Sequence, residues 1–165
     1  RSRNWTVSNN KFRNIASPSK HVAEHAIHFW NNTQNILIKN NVIINCDRGI
    51  GFGMPNRPNF GGIIQGNLIL HANNLHPRAD TGIALEESQG SIVKDNRIYL
   101  AHSYPNAIEY RFKQTKNVKI VNNRVNKNIR SRNGGKAKLN GNQSVRNIDE
   151  LLSAVELKKW KHIFK

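Results

Sequence analysis

Two glutamates, Glu86 and Glu109, have the residue type and spacing that acid–base cleavage of a glycosidic bond requires. The repeats described below place them on neighbouring strands with an offset of two residues. Strand spacings of about 4.8 Å and 3.4 Å per residue then put their Cα atoms roughly 8 Å apart. An inverting pair of carboxyl groups is separated by about 6.5 to 9.5 Å. The alternative is a surface ion-pair network that joins Glu109 to Arg111 and Arg130.

A second chemistry is removal of the proton next to the carboxyl group of a uronate sugar. It needs a base, together with a cation that neutralises the carboxylate. His28 is the candidate base, and the candidate cations are Arg111, Arg130 and Arg132. The candidates for holding the substrate are Trp30, Tyr104, Lys113 and Arg132.

Small residues separate these two groups of candidates along the chain. Gly51, Gly53 and Ala84 occupy the corresponding positions of the intermediate repeats and predict a shallow, uncluttered trough. Tight packing under the loop at residues 54–62 is the alternative explanation for the same small residues.

Three acidic residues, Glu24, Asp47 and Asp80, begin the corresponding strand in successive repeats. Carboxylates stacked about 5 Å apart raise a pKa or attract a hard cation with oxygen ligands, such as calcium. The column is therefore a candidate metal site. Neutralisation by the neighbouring His25 and Arg48 is the alternative.

The elements that position these residues are sequence repeats. Each repeat has two or three β-forming residues, a polar residue, a small polar residue, Asn, and then a second apolar run. Five copies are clear, and Leu139-Asn140-Gly141-Asn142 is a sixth, degraded one. Asn makes up 26 of the 165 residues, and it favours turns, whereas the 18 Ile and 9 Val favour strands. The repeats are centred on Asn10, Asn41, Asn67, Asn96, Asn123 and Asn142.

A second strand pattern lies between these copies, with an Ile that alternates with outward residues. Stacked in register, two or three strands per repeat predict a parallel β-helix in which the Asn amides form a ladder. The aligned aliphatic residues are Ile27, Ile50, Ile83, Ile108 and Ile129.

From Asn4 to Asn142 the repeats resemble the right-handed parallel β-helix superfamily, which includes pectate lyases, polygalacturonases, alginate and chondroitin lyases and phage tailspikes. The resemblance implies an all-β solenoid of about five coils with a sugar-binding, elongated face. It also implies a secreted or cell-surface location. None of the catalytic motif clusters of pectate lyases or polygalacturonases is plainly present, so no catalytic assignment carries over from the family.

The charge is strongly asymmetric. The chain has 26 Lys and Arg against 10 Asp and Glu, a net charge of +16, and residues 111–138 hold ten basic residues and no acid. Such a surface favours polyanions, so the predicted partner is an acidic polysaccharide, with nucleic acid as a further candidate. A merely solubilising surface is the alternative. The single Cys excludes disulfide scaffolds and four-Cys zinc sites, and no apolar stretch is long enough to span a membrane.

The two ends of the predicted solenoid differ. Asn147 followed by Glu150 has the form of a helix N-cap, which predicts a β-helix at residues 1–146 and an amphipathic helix at residues 147–165. We expect this helix to cap the open end of the solenoid, or alternatively to bind a partner. Arg1 enters a coil directly, which predicts an oligomer, additional coils or an unrecognised cap at the N-terminal end.

The sequence therefore predicts a carbohydrate-active or carbohydrate-binding β-helix protein for an acidic polysaccharide, with lyase or glycoside hydrolase chemistry if it is catalytic. The first alternative is a non-catalytic structural or interaction module, as a fragment or as a component of an oligomer. Nucleic-acid binding through the basic face is the third hypothesis.

Overall fold

The chain forms short strands that bend sharply at Asn, Asp and Gly residues with left-handed backbone. A computed structural model describes residues 2–18, 23–72 and 78–164. The strands are β1 (Thr6–Ser8), β2 (Lys11–Arg13), β3 (His25–Phe29), β4 (Thr33–Gln34), β5 (Leu37–Lys39), β6 (Val42–Ile44), β7 (Arg48–Phe52), β8 (Asn59–Phe60), β9 (Ile63–Gln65), β10 (Leu68–His71), β11 (Ile83–Glu86), β12 (Ser88–Gln89), β13 (Ile92–Lys94), β14 (Arg97–Leu100), β15 (Asn106–Arg111), β16 (Val118–Val121), β17 (Arg124–Val125), β18 (Asn128–Arg132), β19 (Ala137–Asn140) and β20 (Gln143–Ser144).

The strands stack into four sheets in which every pairing is parallel. Sheet I contains β1, β5, β9, β13, β16 and β19, and sheet II contains β2, β6, β10, β14, β17 and β20. Sheet III runs β3, β7, β11, β15 and β18, and the short sheet IV runs β4, β8 and β12. The predicted parallel β-helix is thereby confirmed. The sixth, degraded repeat is also present, because β19 pairs with β16.

The bend between sheets I and II carries the predicted Asn ladder. Each side-chain amide donates to the Asn Oδ1 of the next coil over 2.9 to 3.2 Å. The same oxygen accepts the backbone N–H of the preceding ladder Asn. The residue before each ladder Asn has a positive φ, which Asn, Asp and Gly tolerate best. These residues are Asn9, Asn40, Gly66, Asp95, Asn122 and Gly141.

The core is a stack of mostly aliphatic rows inside the coils, contributed by sheets I, II and III. The buried residues of sheet IV, Thr33, Asn59 and Ser88, are polar. The row predicted for sheet III is confirmed by the strand register, which pairs its Ile residues in sequence from β3 to β18. Burial of these rows holds the outward-facing positions of each strand in register along the axis. Cys46 is buried, and this burial raises the pKa of its thiol.

The C-terminal segment forms two short helices, α1 (Ile148–Leu151) and α2 (Ala154–Trp160), and a 3₁₀ turn at Lys161–Phe164. The Asn147 side chain caps α1 by accepting the Glu150 N–H. A second cap at Ser153 begins α2. Both helices are therefore specified by their own capping residues.

These helices do not lie where the sequence analysis expected a cap. They pack on the outward aliphatic side chains of sheet II, including Ile44, Leu68 and Leu70, which belong to early coils. Lys11 of the first coil lies 4.7 Å from the centre of the Trp160 ring. The segment therefore runs along the side of the solenoid rather than across its end. Its further predicted role, binding a partner, stays a prediction.

At the first coil, apolar side chains line an open depression of about 320 Å³. Trp5 is 58% exposed there, and Val7, Phe12 and Phe29 are only partly buried. The predicted oligomer or additional coils at this end stay a prediction. In the described parts of the chain, no helix has the length and apolar character needed to cross a membrane.

Candidate functional site

The outer face of sheet III gathers the predicted site residues into two rows. The register places His28, Gly51, Ala84, Glu109 and Arg130 beside one another on successive strands. In the second row Glu86, Arg111 and Arg132 are neighbours in the same way. We call this surface the sheet III face. Neighbouring positions along it are about 4.8 Å apart, the spacing of parallel strands.

Glu109 is the most enclosed polar residue of this face, with 2% of its surface exposed. Its Oε1 accepts hydrogen bonds from the Tyr104 hydroxyl at 2.5 Å and from Asn106 Nδ2 at 2.6 Å. Arg132 Nη1 lies 3.0 Å from Oε2. Donors from three residues thus occupy this carboxylate.

Tyr104 links the carboxylate to the surface. Arg132 Nη1 donates to its hydroxyl oxygen at 2.8 Å, while the hydroxyl itself donates to Glu109. Burial, followed by the hydrogen bond to Glu109, raises the pKa of Tyr104 to about 12. The phenol is therefore protonated at neutral pH and acts as a hydrogen-bond donor.

Glu86 is paired across the strands as well. Arg111 Nη1 donates to Glu86 Oε1 at 2.6 Å, and the guanidinium lies 4.9 Å from the centre of the Phe112 ring. The ion-pair alternative of the sequence analysis is thus present, although with a different pairing. Glu109 pairs with Arg132, two residues beyond its direct strand neighbour Arg130. Neither carboxylate is left open towards the surface as an unpaired acid.

The glycines of the middle strands do not leave an open trough. The imidazoles of His25 and His28 stack with ring centres 4.0 Å apart. A Cβ at Gly51 would lie 2.7 Å from atoms of both rings, so Gly51 makes room for the two imidazoles. The predicted uncluttered middle is wrong for this reason.

His28 is held in one orientation by the backbone. Its Nε2 lies 2.9 Å from the Gly53 carbonyl oxygen, to which Nε2–H donates when the ring is neutral. Burial lowers the pKa of His28 below its ordinary value. The neutral ring therefore presents Nδ1 as its proton acceptor.

The buried His25 makes stability dependent on pH. Burial, with His28 and Arg48 nearby, lowers the pKa of His25 from 6.5 to about 2. The folded state thus keeps this ring neutral while the unfolded chain protonates it below pH 6.5. The stability that depends on a neutral His25 is fully present above pH 6.5 and is lost as the pH falls below it.

We expect the free energy of unfolding in urea to fall by about 1.6 kcal/mol on this account between pH 6.5 and pH 5. The slope approaches about 1.4 kcal/mol per pH unit once the unfolded His25 is fully protonated. His25→Gln should remove that part of the slope. Equal slopes in the wild type and His25→Gln would show that His25 does not titrate in this way.

Trp30 is shielded by a residue that the sequence analysis did not select. The Arg57 guanidinium, from the segment between β7 and β8, lies 4.6 Å from the centre of the Trp30 ring. His28 lies 6.1 Å away from the same ring. An aromatic platform with a cation above it marks this end of the face. No periodic signal in the sequence placed Arg57 there.

The predicted acidic column is not assembled as a metal site. Arg48 binds both carboxylate oxygens of Asp80, with Nε 2.8 Å from Oδ1 and from Oδ2 and Nη2 2.6 Å from Oδ2. Asp47 is buried, and its Oδ2 accepts the Ser17 N–H at 2.9 Å. Among residues 2–18, 23–72 and 78–164 no group of three or more potential metal ligands occurs. Glu24, Asp47 and Asp80 are thus not brought together to hold calcium.

Two exposed cations lie near the last strands of sheet III, Arg130 on β18 and Lys113 after the end of β15. No ion pair within the described ranges includes either of them. Beside Arg130 is an open depression of about 510 Å³. Its lining residues are Tyr104, Pro105, Asn106, Arg130, Ser131, Arg132 and Asn133. The depression has positive charge, a tyrosine hydroxyl and side-chain amides.

The comparisons with known proteins agree with this architecture. Residues 1–149 match the family described as the right handed beta helix region, so the chain belongs to that family. The fold is thus a right-handed parallel β-helix. No curated protein and no solved structure matches the chain.

Proposed function

We propose that the protein binds an acidic polysaccharide along the sheet III face. The observation that carries the proposal is the group of three guanidinium side chains at the end of this face: Arg130 and Arg132 line the depression together with Tyr104, and Arg111 is the strand neighbour of Arg132. Guanidinium groups bind carboxylates through paired hydrogen bonds, and Arg130 has no acidic partner among the described residues.

The shape of the face supports a linear, repeating ligand. The face runs along the axis of the solenoid and has accessible side chains towards both ends, His28 and Trp30 at one and Arg130 and Arg132 at the other, so a polymer lying along the axis would contact both groups. The net charge of +16 adds a long-range attraction that raises the association rate with polyanions. Trp30 at the opposite end of the face offers an aromatic surface for a sugar ring, with Arg57 above it.

The contacts of the carboxylates favour binding over hydrolysis. Glu109 and Glu86 each accept hydrogen bonds from a guanidinium, so protonating a leaving group would require breaking these pairs. Lyase chemistry is the better supported catalytic variant, because the neutral His28 offers Nδ1 as a base. Catalysis by Glu109, Glu86, His28, Arg111 and Arg130 stays a prediction.

The binding proposal is tested by retention on immobilised polyuronates in a salt gradient. Arg130→Gln/Lys113→Gln removes two exposed charges that hold no partner in the described fold. We expect about tenfold weaker binding, equivalent to about 1.4 kcal/mol. The control Lys39→Gln/Lys94→Gln removes the same charge from the outer face of sheet I and should change affinity less than about twofold.

Two results would contradict the proposal: no retention of the wild type on any polyuronate, or equal losses in both double variants. The same incubations report on catalysis through the absorbance of unsaturated products and the release of reducing ends. Unsaturated product that is lost in His28→Gln would establish a lyase, and reducing ends that are lost in Glu109→Gln would establish a hydrolase. Retention without product would establish a binding module.

A further inference from the structure

A second cationic surface lies on a different face, where sheet I ends. Four exposed lysines border an open depression of about 330 Å³ whose floor is formed by Asn117, Val118 and Ala137. We call it the lysine depression. Its four bordering residues are Lys116, Lys119, Lys136 and Lys138.

The fold brings these lysines together without compensating charge. Lys119 and Lys138 are direct neighbours in the pairing of β16 with β19, so their Cα atoms are about 4.8 Å apart. Like charges directly opposite each other destabilise a sheet. None of the four takes part in an ion pair within the described residues, and no acidic residue occurs from Phe112 to Asn147. An anion bound between them would relieve this repulsion.

The residue types define the anion. The cations here are all lysines, whose ammonium groups are compact point charges that approach separate oxygens of one tetrahedral anion. The sheet III face instead offers guanidinium forks suited to planar carboxylates. No aromatic side chain lines the lysine depression, so it lacks the stacking platforms with which proteins hold the bases of single-stranded nucleic acids.

We propose that the lysine depression binds the sulfate groups of a sulfated polysaccharide. The site lies on sheet I and shares no residue with the sheet III face, so the inference does not rest on the proposed function. The ammonium groups bind the sulfate oxygens, and the aliphatic floor contacts the sugar backbone.

Calorimetric titration of the full chain with a heparin-derived oligosaccharide, at about 0.15 M NaCl, tests the proposal. Lys119→Gln/Lys138→Gln is expected to weaken binding at least tenfold and to flatten the dependence of affinity on salt. Lys39→Gln/Lys94→Gln removes equal charge from other positions of the same sheet and should change affinity less than about twofold. If the strand variant fails to fold, Lys116→Gln/Lys136→Gln provides the same comparison from residues outside β16 and β19.

Stability provides an independent readout. Without the oligosaccharide, Lys119→Gln/Lys138→Gln should unfold at the same or a higher temperature, because a repulsive pair is removed. The wild type, but not the variant, should gain stability when the oligosaccharide is added.

Three outcomes would overturn the proposal. The first is absence of binding by the wild type, and the second is an equal loss of affinity in the depression and control variants. The third is equally tight binding of a single-stranded RNA of matched charge with the same dependence on the four lysines, which would assign the site to nucleic-acid phosphates. Failure of Arg130→Gln/Lys113→Gln to weaken polyuronate binding would contradict only the proposal for the sheet III face.

Discussion

Asn96→Ala is expected to lower the free energy of unfolding by about 4 kcal/mol, because it removes a central member of the buried ladder. Asn96 Oδ1 accepts hydrogen bonds from the backbone and side-chain nitrogens of Asn67. Its own Nδ2 donates to the Ile64 carbonyl and to Asn123 Oδ1. The substitution therefore removes the partners of two buried groups, the Asn67 N–H and the Ile64 carbonyl, at about 1 to 3 kcal/mol for each. Asn67 Nδ2 keeps its hydrogen bonds to the Ile38 and Gln65 carbonyls. Urea unfolding measures the loss.

The matched control is Asn10→Ala at the exposed end of the same ladder. Asn10 donates to Asn41 Oδ1 and to the Ser8 carbonyl at the surface, where water replaces the lost bonds. We expect a loss below about 1 kcal/mol. Equal losses of unfolding free energy in the two variants would show that the buried part of the ladder stabilises the solenoid no more than its exposed end does.

The second large effect is expected at Gly53, next to the sheet III face. Gly53 has φ of +73°, and a Cβ there would lie 1.8 Å from the Glu86 carbonyl oxygen in the next coil. The clashing atom belongs to the backbone of Glu86 and cannot rotate away as the end of a flexible side chain can. The Cβ of Gly53→Ala must therefore push the two coils apart. We expect a loss of more than about 4 kcal/mol in urea unfolding, composed of overpacking and left-handed backbone strain.

Gly90→Ala separates these two contributions. Gly90 has a nearly identical φ of +70°, but nothing lies within 4 Å of its added Cβ. The Gly90→Ala variant should lose only about 1 kcal/mol of stability, which is the cost of the left-handed backbone strain alone. A similar loss at both positions would mean that the coils are not in close contact at Gly53.

The repeating part of the fold could be predicted because the sequence repeats the same physical constraint in every coil. One Asn per turn fixes the bend, and one Ile per second strand fixes which side faces inward. Those two signals determine the register of Ile83 with Ile108 and, with it, the order of outward residues on the sheet III face.

The contacts between those outward residues could not be predicted in the same way. Arg130 is the direct strand neighbour of Glu109. The Glu109 carboxylate nevertheless pairs with the guanidinium of Arg132, which lies two residues further along the neighbouring strand. Arg57 reaches Trp30 from a segment with no periodicity. A glycine at position 51 indicates that space is left beside the strand. The sequence does not indicate that the imidazoles of His25 and His28 fill that space.

The position of the C-terminal helices had a signal that the sequence analysis did not use. Val42–Ile44 and Leu68–Leu70 are unbroken apolar runs, whereas a strand with a solvated outer face alternates. Their outward members, Ile44 and the pair Leu68 and Leu70, are the residues that the helices cover. Continuous runs in sheet II therefore indicate a lateral covering segment.

The central claim is that an acidic polysaccharide lies along the sheet III face, and backbone amide NMR of the labelled full chain during titration with an oligouronide tests it most directly. We expect the largest shifts at Tyr104, at Arg130 and at Arg132, extending along β15 towards Arg111, and little change on the outer faces of sheets I and II. The shifts should saturate with one affinity, and Arg130→Gln/Lys113→Gln should need about tenfold more oligouronide to reach half-saturation. Saturable shifts confined to other faces, or none on the sheet III face at any concentration, would contradict the account.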